Sequence, residues 1–114
     1  MNAYAIAHLH SVRVGPGIVQ YLERIDATLA PFGGRFIVHG GPVDVREGEV
    51  PGDMIVIEFP DRERATAWYE SPAYQEILPL RTDNAEGTAV IVDGVDQDHR
   101  ATDVLSPEAG ASAT

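Results

Sequence analysis

Met54 to Arg81 reads M-I-V-I-E-F-P-D-R-E-R-A-T-A-W-Y-E-S-P-A-Y-Q-E-I-L-P-L-R, and this stretch decides the fold. Met54 to Phe59 is almost wholly apolar, as expected of a central strand covered on both faces. Asp61 stands where a helix N-cap belongs, its side chain placed to accept from the first free backbone N–H groups. Ala65, Trp68 and Tyr69 give the following helix a buried side. Ser71-Pro72 is a fresh cap and first-turn pair, so the helix kinks or restarts there. Ile77 and Leu80 continue the apolar stripe. The stretch therefore joins a buried strand to an interrupted helix that must pack on a sheet.

Outward from it, the periods are clear. In Ala3 to His10, Tyr4, Ile6, His8 and His10 alternate with Ala3, Ala5, Ala7 and Leu9, and period two means strand. Pro16 suits a first helical turn, and Ile18, Leu22, Ile25 and Leu29 follow at helical spacing. Pro31 and Gly33-Gly34 end that helix. Arg35 to His39 reads as a second strand, broken by Gly40-Gly41-Pro42, with a short extra strand expected at Val43 to Val45. Glu47 to Asp53 reads as an exposed loop and Thr88 to Val92 as the last strand. The order β-α-β-β-α-β predicts an α+β, ferredoxin-like domain with a four-stranded antiparallel sheet. The third strand is expected between the first and second, and the fourth outside the first. The domain is expected to span 1–95. The stretch 96–114, rich in Asp, Ala, Ser, Pro and Gly, is too poor in apolar residues to offset its ordering entropy and is expected to be mobile.

Composition excludes several functions. The net charge of -10 repels phosphate backbones, so no nucleic-acid partner is expected. No apolar run approaches the ~20 residues of a membrane span. The first ten residues read as a strand rather than a signal peptide, and a cytoplasmic location is expected. The chain has no cysteine, which removes disulfides, thiolate metal sites and a thiol nucleophile. Its eight basic residues are all arginine, which reads either as genomic base composition or as some arginines serving bidentate recognition of a carboxylate. No dinucleotide fingerprint, phosphate loop or nucleophile elbow is present, and no cofactor is expected. Gly40-Gly41 lacks the strand–glycines–helix context of a phosphate cradle and reads as a turn.

Two helices cover one face of such a sheet, while the strands carry apolar or large residues on both. The other face would leave more than a few hundred Å2 of apolar surface in water, and a second copy of the sheet is its natural cover. A homodimer is expected.

The segments G-G-R-F-I-V-H-G-G (Gly33 to Gly41), I-V-I-E-F-P (Ile55 to Pro60) and A-W-Y-E-S-P-A-Y-Q (Ala67 to Gln75), with Arg81 and V-I-V-D-G (Val90 to Gly94), resemble the DUF1330 family from about Tyr4 to Gly94. The resemblance implies a dimeric α+β barrel of ferredoxin-like type. The family has no established activity. Related barrels include monooxygenases that use no metal or cofactor, lactone isomerases, dye- or haem-handling enzymes and ligand-binding regulators. They imply a pocket for a small, partly apolar molecule, but share no set of catalytic residues.

Polar groups in apolar elements are the candidate site. Glu58, inside I-V-I-E-F, needs a partner or a raised pKa, and Arg35 on the neighbouring strand is the expected partner. The pair is either a structural ion pair or a pocket carboxylate acting as a base. His8 and His10 point the same way, and His39 would complete a metal triad if its face matched. Glu58 should lie opposite Tyr4, about four residues or ~13 Å along the strand from His8, which argues against a joint site. The alternative for the histidines is that His8 is hydrogen-bonded and His10 solvated, with no metal. Trp68, Tyr69 and Tyr74 carry polar tips on apolar bodies, and Arg81 follows them; Trp68 and Tyr69 read as core packing and Arg81 as a helix C-terminal cap favoured by the dipole, or the four read as the wall and anchor of an anionic ligand. The expected function is a small-molecule pocket between helices and sheet, that of a cofactor-independent isomerase or oxygenase. In it Glu58 and His8 would be catalytic, and Arg35, Trp68, Tyr69, Tyr74 and Arg81 substrate-binding. The alternative is a non-enzymatic binding or dimerisation module.

Overall fold

Alternation and helical period become four strands and three helices. A computed structural model describes residues 1–105 of the chain. The strands are β1 (Ala3–Val12), β2 (Arg35–His39), β3 (Asp53–Phe59) and β4 (Ala85–Asp93). The helices are α1 (Pro16–Leu29), α2 (Arg62–Glu70) and α3 (Pro72–Thr82). All strand pairs are antiparallel and the sheet order is β2-β3-β1-β4. The expected short strand at Val43 to Val45 does not form. Those residues lie in an exposed connection between β2 and β3, with no ladder partner to hold them.

The caps fall where the side chains predict. The Asp61 carboxylate accepts from the Arg64 N–H at 2.8 Å and starts α2. Ser71 is extended, its Oγ accepts from the Tyr74 N–H at 3.2 Å, and Pro72 opens α3. The chain leaves β2 through Gly40 and Gly41, both at positive φ, where a side chain would be strained.

Register divides the sheet into two faces. Ala3 pairs with Phe59, Ala5 with Ile57 and Ala7 with Ile55; these meet the helices. Tyr4 pairs with Glu58, Ile6 with Val56 and His8 with Met54, so this set occupies the opposite face, joined by Val90 and Val92 of β4. The helix side holds the core: Phe59, Tyr74 and Ile77 are fully buried, with Ile25, Leu29, Ala65 and Trp68 around them. Each large side chain buried there contributes about 1.5–3 kcal/mol relative to exposure.

Two details depart from expectation. In α1 the buried stripe is Ile18, Tyr21, Ile25, Thr28 and Leu29, while Leu22 is 45% exposed. The Tyr21 ring displaces Leu22 from the core because its hydroxyl has a buried partner. In the tail, residues 101–105 form an exposed 3-10 turn. The expected mobility of the remainder concerns residues 106–114, which lie outside the described residues.

Candidate functional site

A cavity of about 800 Å3 lies between the helices and the covered sheet face. Its floor is β1, β3 and β4, through Ala5, Ala7, Ile55, Ile57, Ala89 and Ile91. Ile18, Tyr21 and Ile25 of α1 form one wall; Trp68, Tyr69, Tyr74 and Arg81 of α2 and α3 form another. This size is within the ~300–1,000 Å3 of ordinary ligand pockets, and the lining is mainly apolar with a few polar groups.

Those polar groups are tied together. The Tyr21 and Tyr74 hydroxyls are 2.7 Å apart, a buried bond between α1 and α3. Arg81 lies seven residues beyond Tyr74, on the same face of α3. Burial, then the neighbouring Tyr74, pushes the Tyr21 phenol far above its ordinary range, and Arg81 works in the opposite direction without cancelling this. Tyr21 is thus a neutral hydrogen-bonding group at any ordinary pH. Burial disfavours the Arg81 charge, but Tyr74 and Tyr21 more than offset it and hold the guanidinium above its usual value.

The Trp68 ring packs against Tyr74 with centroids 4.1 Å apart and against Phe59 at 5.4 Å. Its indole N–H donates to Thr28 Oγ1 at 3.0 Å, and Thr28 donates on to the Ile25 carbonyl at 2.6 Å. The Ser71 hydroxyl donates to the Trp68 carbonyl at 2.7 Å. The helix restart therefore fixes Trp68 and Tyr74 together.

The seven expected site residues do not form one site. Trp68, Tyr69, Tyr74 and Arg81 line the cavity. Glu58, Arg35 and His8 sit on the other face of the sheet, because Glu58 is one residue from Ile57 and one from Phe59, and each step along a strand changes face. Glu58 does take Arg35 as partner, with Oε1 accepting from Nε at 3.2 Å and lying 3.1 Å from Nη2. His8 Nε2 lies 2.7 Å from the Pro51 carbonyl, and the His8 and His10 rings meet edge to face at 4.5 Å.

The expected histidine triad is not assembled. The register of β2 against β3 shifts between Phe36 and Val38. His39 consequently pairs with Ile55 and faces the helices, stacked on Phe36 at 4.1 Å, while His8 and His10 face away. Among the described residues no three His, Cys, Asp or Glu side chains are grouped to hold a metal ion. Sequence reasoning missed Tyr21 and Thr28 because both sit at helical spacing from Ile18 and Ile25 but were not counted as apolar. Each is a polar-tipped side chain whose hydroxyl is satisfied inside the core.

The sheet order and one-sided helices define a ferredoxin-like α+β protein. Within that class, the chain belongs to the DUF1330 family, a domain of unknown function whose sequence model matches residues 2–95. No curated protein matches the sequence. Among solved structures, it is similar to the RPA0582 protein of unknown function from Rhodopseudomonas palustris. That match has 13% identity and a TM-score of 0.62, over 83% of this chain and 83% of that one. A dimeric ferredoxin-like protein of unknown function from Jannaschia matches with 13% identity and a TM-score of 0.57, over 82% of this chain and 100% of the other. SnoaB, a cofactor-independent oxygenase from Streptomyces nogalater, matches with 10% identity and a TM-score of 0.51, over 87% and 96%. At these identities the likeness is one of fold.

Proposed function

We propose that this protein is a homodimer in which each protomer binds a small, partly apolar molecule between its helices and its sheet. The observation that carries the pocket is the cavity of about 800 Å3, apolar over most of its lining and furnished with Tyr21, Tyr74 and Arg81. The dimer is supported by the face that no helix covers, where Val38, Val90 and Val92 are 41%, 51% and 39% exposed. A dimeric ferredoxin-like structural neighbour has the same fold. In this arrangement Glu58, Arg35 and His8 belong to the sheet-to-sheet seam and Trp68, Tyr69, Tyr74 and Arg81 to the pocket.

Catalysis without a cofactor is the second reading, and the fold of SnoaB, a cofactor-independent oxygenase, favours it. Such chemistry would act at the pocket's phenols and guanidinium. The pocket is tested by native mass spectrometry and calorimetry on the purified protein against a library of apolar acids, alcohols and esters. Ala89→Phe, which fills the floor from the edge strand β4, is expected to abolish binding while circular dichroism stays unchanged. Binding that survives this substitution at full strength would place the ligand elsewhere.

A further inference from the structure

We propose that Arg81, Tyr21 and Tyr74 form the head-group subsite of this cavity, and that its ligand is an apolar molecule ending in a carboxylate. The inference deepens the pocket reading above and rests on it.

Charge pairing is the first argument. This chain has more than twice as many acidic as basic residues, and its arginines are nearly all paired. Arg13, Arg24, Arg35, Arg46, Arg62 and Arg64 each lie within 3.8 Å of a carboxylate oxygen. Arg81 has no carboxylate partner among the described residues, although it is half-buried. Asp53 also lines the cavity but makes no ion pair with it. Among the described residues, Arg100 is the other arginine that makes no ion pair, and it lies on the exposed tail. The Tyr74 and Tyr21 oxygens already favour the Arg81 charge, and a ligand carboxylate would supply the full counter-charge that the described residues do not.

The hydrogen-bond inventory is the second argument. Two phenols at 2.7 Å use one proton between them. The other phenolic proton and the guanidinium fork remain as donors, and both phenol oxygens offer lone pairs that Arg81 can occupy. The bases on the cavity lining, Asp53 and His39, belong to other elements. These three groups are therefore rich in donors. A carboxylate accepts all of these at once, and the planar fork of arginine matches it in a bidentate way. An alcohol or an amine leaves donors or charge unanswered. The apolar body of the ligand would lie along Ala5, Ile57 and Ile91 on the floor, beneath Trp68.

Trp68 is the only tryptophan of the chain and lies on the cavity wall, so its fluorescence reports occupancy. The probes are octanoate and naphthylacetate, each beside its methyl ester, titrated by Trp68 fluorescence and calorimetry at neutral pH. The acids are expected to bind at least about tenfold more tightly than the esters, the scale of one charge-assisted contact. Arg81→Gln should bring the acids to the ester level and leave the esters unchanged, and Tyr21→Phe should narrow the gap by a smaller factor. Equal affinity of acid and ester, or a preference that survives Arg81→Gln, overturns the head-group assignment while leaving the pocket intact. Binding of neither removes the pocket and this subsite with it. The acid–ester comparison uses the unaltered chain, so it decides the question even where Arg81→Gln fails to fold.

Discussion

Thr28→Val removes one oxygen from the core and keeps the shape of the side chain. That oxygen accepts the indole N–H of Trp68 at 3.0 Å and donates to the Ile25 carbonyl at 2.6 Å. The carbonyl keeps its bond within α1, so only the indole N–H is orphaned. Thr28 and Trp68 are 6% and 2% exposed, and water does not reach the vacated position. Leaving one buried donor unpaired costs about 1–3 kcal/mol, and we expect about 2 kcal/mol here. For a domain of this size that lowers Tm by roughly 8–16 °C. The assay is urea and thermal unfolding by far-UV circular dichroism, at fixed protomer concentration because association shifts apparent stability. The same substitution made in a Trp68→Phe background should cost less than about 0.5 kcal/mol, since the donor is already gone. An equal loss in both backgrounds, or almost none in either, would refute the claim that this bond holds Trp68 against the cavity.

In the monomeric Val90→Glu background, Glu58→Gln should change stability by no more than about 1 kcal/mol in urea unfolding, because its Arg35 partner is 70% exposed in the single protomer. It should leave pocket binding unaltered, and a tenfold loss would mean that the two faces communicate. Val90→Glu places a charge on the uncovered sheet face and should yield monomers in light scattering; a dimer mass at low micromolar concentration argues for another interface. Tyr21 has a raised folded-state pKa, so the unfolded chain loses its proton first, near the ordinary value of about 10. The stabilisation is complete below that pH and declines above it, as pH rises towards the folded value. Stability should therefore fall more steeply above about pH 10 in the wild type than in Tyr21→Phe. Parallel curves would show that Tyr21 ionises freely.

Much of the fold was legible because local signals agreed. Asp61, Ser71 and Pro72 announced their helix starts through backbone chemistry that needs no tertiary context. The β1–β3 register placed Tyr4 opposite Glu58 and His8 opposite Met54, as antiparallel neighbours of those lengths must fall. The candidate site was less legible for a reason that also lies in the strand. Glu58 is close in sequence to the helices that carry Trp68 and Tyr74, yet alternation turns it to the other side of the sheet. Choosing the covered face requires knowing which residues meet the helices, and the apolar character of both faces hides that choice. Tyr21 shows the converse. Its stripe position was visible at three residues after Ile18 and four before Ile25, but its burial depends on Tyr74, 53 residues away.

His39 is the clearest case of a single residue deciding chemistry. In regular alternation from Arg35, residues 35, 37 and 39 share one face, and Arg35 faces Glu58 on the uncovered side. His39 would then have pointed to the side that holds His8 and His10, and a metal triad would have been open to it. The register shift between Phe36 and Val38 adds one residue to β2 and reverses the remainder of the strand. His39 stacks on Phe36 over the covered face, where it borders the cavity instead. No composition or spacing in R-F-I-V-H announces that bulge, since Ile37 and Val38 are equally good strand residues on either face. Inserting one residue between Val38 and His39 would move His39 from opposite Ile55 to opposite Met54, the partner of His8, and turn the imidazole towards His8. Zinc stoichiometry of that insertion variant, set against the wild type, measures whether the phase of β2 set by the bulge is what keeps the three histidines apart.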